Sequence, residues 1–81
     1  MSFEYTPRGV CARKIIFDLD ENNIVHNVEF IGGCDGNLKA IGKLVEGMDA
    51  NKVIELLEGN TCGRKTTSCT DQLTKALKER I

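Results

Sequence analysis

Eighty-one residues with a formal net charge of −1 leave room for one domain, because a core this small already buries a modest share of its chain's surface. Acidic and basic residues are interspersed, with no Trp and a single Tyr, so neither a general nucleic-acid surface nor a stacking platform for single strands is encoded. No run approaches the roughly 20 apolar residues that cross a bilayer and no basic-then-apolar leader is present, so a cytoplasmic protein with no membrane partner is expected.

In chain order, Phe3-Glu4-Tyr5-Thr6 can form an edge strand stopped by Pro7, which has no N–H to donate to a ladder. Cys11 to Leu19 alternates as a strand, with Arg13, Ile15, Phe17 and Leu19 on one face and Lys14, Ile16 and Asp18 on the other. Asp20-Glu21-Asn22-Asn23 is turn chemistry, and Ile24 to Ile31 reads as the return strand, with Val28 and Phe30 inward. After Gly32-Gly33 the period becomes helical, with Leu38, Ile41 and Val45 on the apolar face and Gly47 as the stop. Asp49 caps a shorter helix whose apolar face is Val53, Leu56 and Leu57, closed by Gly59. A loop, Asn60 to Thr67, leads to a last helix that Ser68 caps, with Asp71 in its first turn and Leu73, Ala76 and Leu77 inward. A hairpin or three-stranded antiparallel sheet followed by three helices on one face is an α+β domain.

The four cysteines have telling addresses. A hairpin turning near Asn22 brings Cys11 opposite the Gly32 region and close to Cys34. Cys34 and Cys69 each begin a helix, where exposed N–H groups stabilise a thiolate, and Cys62 lies on the loop seven residues before Cys69. A reducing cytosol favours metal binding over disulfides, and four thiolates suit zinc or an iron–sulfur cluster, so Cys11, Cys34, Cys62 and Cys69 are the expected metal ligands. No C-x-x-C knuckle occurs, so tertiary structure must assemble such a site. Two other readings stay open: Cys62 and Cys69 as an exchanging dithiol with Arg64 and Lys65 beside it, and an interaction domain whose cysteines are inert core.

The remaining candidates carry less chemistry. His26, the sole histidine, falls within a strand and reads as structural, and with one histidine no Ser/His/Asp triad can be built. Gly32-Gly33 and Gly36 bracket Cys34 like a phosphate nest without any P-loop pattern, so they read as turn glycines. Asp35 and Asp71 each follow a cysteine closely and read as helix-terminus residues or as support for a metal.

Two segments, Gly33-Cys34-Asp35-Gly36-Asn37-Leu38-Lys39-Ala40-Ile41 and Cys62-Gly63-Arg64-Lys65-Thr66-Thr67-Ser68-Cys69-Thr70-Asp71-Gln72-Leu73, resemble the TSCPD domain, and the likeness covers nearly the whole chain. Residues 1–81 are thus expected to be one TSCPD-like domain. That family is named for Thr-Ser-Cys-Pro-Asp and occurs at the C-terminus of cobalamin-dependent ribonucleotide reductases and as short stand-alone chains; here Thr70 replaces the proline. The resemblance implies a link to deoxynucleotide synthesis, a metal or redox role, and a ribonucleotide reductase, another protein or a nucleotide as partner. A chain of this length cannot hold the reductase's catalytic barrel, so an accessory domain is implied rather than an enzyme in its own right. The chain is also distantly similar to iron–sulfur scaffold proteins, whose three cysteines Cys11, Cys34 and Cys69 match in position, while Arg13 and Ser68 stand where the scaffolds carry Asp and His.

Overall fold

The computed structural model describes residues 2–10, 12–32, 35–61 and 67–81. Three strands, β1 (Ser2–Tyr5), β2 (Ala12–Leu19) and β3 (Val25–Gly32), are followed by three helices, α1 (Asp35–Val45), α2 (Ala50–Leu57) and α3 (Cys69–Lys78). The sheet is antiparallel in the order β1-β2-β3, the expected strands-then-helices α+β arrangement.

The hairpin closes through Asp20. Its carboxylate accepts the backbone N–H groups of Asn22 (2.9 Å) and Ile24 (3.0 Å), and its carbonyl accepts that of Asn23 (3.0 Å). This is the short-range bonding that makes Asp a turn residue, and it lets Asn23 take a left-handed φ of 60°. The turn is then tied to the α1–α2 connection: Gly47 N–H donates to Val25 O and Val25 N–H to Met48 O, both at 2.8 Å. Those bonds occupy the start of the β3 edge, which would otherwise be open to another strand.

Two register shifts re-aim side chains that simple alternation misplaces. One lies between Ala12 and Lys14, so Ala12 is buried and Arg13 exposed, reversing the expected placing of Arg13 on the inward side. The other lies between Ile16 and Asp18 in β2, opposite Asn27, which takes a φ of 55°. An extra residue in one strand inverts the facing of everything beyond it, which is why Val25 is fully buried while Val28 and Phe30, three and five residues on, also turn toward the core.

The main core joins Ile15, Phe17, Leu19 and Val25 of the sheet to Val45, Val53, Leu73 and Leu77 of the three helices. Phe3 packs on its β2 partner Phe17 with ring centroids 5.6 Å apart, and the Arg80 guanidinium lies 4.8 Å from the Phe3 ring centre. In α2 the buried stripe is Ala50 and Val53, with Ile54 and Leu57 half-buried. Leu56, expected on the apolar face, is 59% exposed because it falls outside that i, i+3, i+4, i+7 stripe.

A second, smaller cluster adjoins the main core through Phe30, which packs against both. Ala12 at the start of β2, Leu38 of α1 and Cys69 of α3 are buried together, with Val10 and Phe30 packed against them.

Candidate functional site

The segment Thr67-Ser68-Cys69-Thr70-Asp71 begins α3 and is buried almost throughout. Ser68 holds an extended conformation (φ −149°, ψ 171°), so its Oγ accepts the Asp71 N–H at 3.1 Å and caps the helix. The same hydroxyl donates to Asn60 O at 2.5 Å. With that proton committed, the 2.9 Å contact between Ser68 Oγ and Thr70 Oγ1 has Thr70 as donor. Thr70 Oγ1 in turn accepts from Asn60 Nδ2 at 2.8 Å. The residue standing where the family motif has proline therefore adds a hydroxyl that ties α3 to the chain leaving α2.

Asp71 anchors the other side of the helix start. Its carboxylate accepts the Gly59 N–H at 2.8 Å and the Thr67 hydroxyl at 2.5 Å, with Lys75 Nζ 3.6 Å away one turn along α3. Burial pushes this carboxyl up, but the Thr67 and Gly59 hydrogen bonds and the Lys75 charge outweigh it and hold Asp71 below the usual carboxylate value. Gln72 carries the network to the leader: its Nε2 donates to Thr67 Oγ1 at 3.0 Å, and its Oε1 accepts the Arg8 N–H at 3.2 Å. Among the described residues no buried side-chain nitrogen or oxygen lacks a partner. A run of buried polar groups is tolerable only under that condition, since each orphaned group would cost about 1–3 kcal/mol.

Cys69 sits inside this frame as the first residue of α3, buried against Ala12 and Leu38 and facing inward as its spacing from Leu73 predicts. The other three cysteines, Cys11, Cys34 and Cys62, lie outside the described residues, as do Arg64, Lys65 and Gly33; the Asp35 side chain does too. Their described neighbours are informative. Ala12, which follows Cys11, faces Gly32, two residues before Cys34, across the β2–β3 ladder. Gly32 has a φ of 82°, a left-handed conformation that favours glycine at this position on the approach to Cys34. Among the described residues no group of three or more His, Cys, Asp or Glu side chains is placed to hold a metal ion.

His26 is remote from this cluster in function. Its Nδ1 lies 2.7 Å from Glu46 Oε2 and its Nε2 3.1 Å from Asp20 Oδ2, clamping the hairpin turn to the end of α1. Carboxylates only accept, so both contacts are hydrogen bonds only when the ring carries two protons. Glu46 first and Asp20 second accordingly raise the His26 pKa above 6.5. Glu46 also accepts the Asn27 N–H at 2.8 Å, which pins the bulge. This carboxylate role was missed in the sequence because Glu46 reads there as an outward helix residue.

Among the described residues no helix is long and apolar enough to cross a membrane. Comparison with curated proteins yields no match, and comparison with solved structures yields none either. The family model for the TSCPD domain matches residues 1–81.

Proposed function

Because the chain belongs to the TSCPD domain family, which is linked to ribonucleotide reductases, we propose that it is a metal-binding accessory domain serving deoxynucleotide synthesis in the cytoplasm. In this reading Cys11, Cys34, Cys62 and Cys69 together hold one zinc ion or iron–sulfur cluster. One observation supports it above all: Ala12, Leu38 and Cys69, drawn from β2, α1 and α3, are buried as one cluster with Ala12 opposite Gly32. Three of the four cysteine-bearing stretches thus approach the same end of the sheet.

The donor set fits such a group. Soft thiolates select zinc or iron–sulfur centres, and the N-terminus of α3 favours the Cys69 thiolate through its exposed N–H groups and dipole. The bound centre would cross-link the leader, α1 and α3, of which the leader is already tied to α3 through the Arg8 N–H bond to Gln72 Oε1. Association with a reductase would then present this stapled end to the larger protein.

The test is metal and sulfide analysis with an absorption spectrum on protein purified without oxygen or chelator, repeated on each Cys→Ser variant. About one metal centre per chain, diminished in every variant, is expected. Metal-free protein, or full metal content in all four variants, overturns the reading. A reversible Cys62–Cys69 disulfide in metal-free protein would replace it with the dithiol role.

A further inference from the structure

Between β3 and α1 lies a cavity of about 440 Å³. Val28, Phe30 and Leu38 make its apolar wall, Lys39 and Lys43 stand at its helical rim, and Glu29 on the strand side and Glu46 just past the helix also line it. Its walls are held in place by backbone. Gly42 brings α1 so close to β3 that a Cβ there would stand 2.9 Å from Val28 O. Asn27, at the bulge, is pinned by Glu46.

The charges are the telling feature. Lys39 and Lys43 lie one turn apart on α1, and like charges at that spacing repel. Among the described residues neither joins an ion pair. Glu46, the acid nearest to Lys43 along the helix, is engaged by His26 and by the Asn27 N–H. Two ammonium groups without an ion pair among the described residues therefore border an apolar recess whose volume falls within the usual range for small-molecule sites.

We propose that this cavity binds a small organic anion: an apolar ring or branched body carrying one phosphate or carboxylate. The body lies on Val28, Phe30 and Leu38, the anion rests between Lys39 and Lys43, and Glu29 accepts a hydrogen bond from an N–H or O–H on the ligand's far side. Glu29 also orients the ligand, since it repels the anionic end toward the lysines. Phe30 and Leu38 pack as well in the Cys69 cluster, so an occupant would touch the wall shared with the cysteine end of the fold. The site itself does not depend on metal being bound.

The experiment is a titration of ¹⁵N-labelled protein with AMP, with phenylacetate and with inorganic phosphate, followed by amide resonances. Saturable shifts at Val28, Phe30, Leu38 and Gly42 are expected with at least one of the two organic anions, and weaker binding of inorganic phosphate, which lacks an apolar body. A response to AMP alone assigns a phosphate ligand, and one to phenylacetate alone a carboxylate. The double variant Lys39→Gln/Lys43→Gln should weaken binding about tenfold, and about 0.5 M salt should weaken it in the unaltered protein. Both lysines are exposed, so the variant's spectrum should otherwise keep its dispersion. No localised shift with either organic anion, tighter binding of inorganic phosphate than of both, or unchanged affinity in the double variant overturns the proposal.

Discussion

At Asp71, burial and hydrogen bonding pull in opposite directions, and the bonds win. Removing the carboxylate would leave the Gly59 N–H and the Thr67 hydroxyl without their acceptor in a partly buried place. Asp71→Ala should therefore cost about 2–4 kcal/mol of stability, read as a lower urea midpoint, and Asp71→Asn less, because an amide oxygen can still accept one bond. A carboxyl held below its ordinary 3.8 contributes stability that is present above that value and lost as pH falls through the lowered one. The acid limb of a stability–pH curve should be shallower in Asp71→Asn. His26 has the opposite sign. Its pKa is raised above 6.5, so its contribution is complete below 6.5 and lost as pH rises through the raised value. His26→Gln should remove that loss on the alkaline side, and NMR titration of the ring should place its midpoint above 6.5. The Ser68 cap was legible from residue type and position alone, because a cap acts within four residues of its own helix. The Glu46 clamp was not, since its partners Asn27 and His26 lie on β3, 19 and 20 residues away.

Elements show the same division between local and distant causes. Helix ends were readable because Asp49, Ser68, Gly47 and Gly59 act on the backbone beside them, and the structure has Asp49 accepting the Asn51 N–H at 2.8 Å and both glycines at positive φ. Strand faces were less readable. A bulge depends on how two strands pair, so nothing in Ala12-Arg13-Lys14 alone reveals that Ala12 is buried and Arg13 exposed. In α2 the error over Leu56 arose from treating adjacent leucines as one face when helical spacing separates them by about 100°. The approach of α1 to β3 is likewise a property of the pair. Gly42→Ala places a Cβ 2.9 Å from a backbone carbonyl that cannot rotate away, so the helix must shift outward. We expect a loss of about 1–3 kcal/mol in denaturant unfolding, despite alanine's better helix propensity.

For the whole molecule, an 81-residue chain with a radius of gyration of 11.3 Å is as compact as its length allows, about 12 Å being typical, yet its core is small. A bound metal would contribute directly to its folding free energy. If the proposed centre is present, thermal unfolding of protein purified without chelator should thus move to lower temperature on adding a strong chelator and return on adding the metal back, whereas a chelator-insensitive melt would count against the four-cysteine centre. The sequence by itself determined the α+β order, the caps, the turns, the apolar stripe of α3 and the family, because each rests on residue type at short spacing or on a motif read along the chain. Only the tertiary structure decided which strand residues face inward, how Asp71 and Thr70 are bonded, and that Ala12, Leu38 and Cys69 meet. Those depend on bulges and helix approaches created when segments far apart in the chain pack, and no window of neighbouring residues contains both partners.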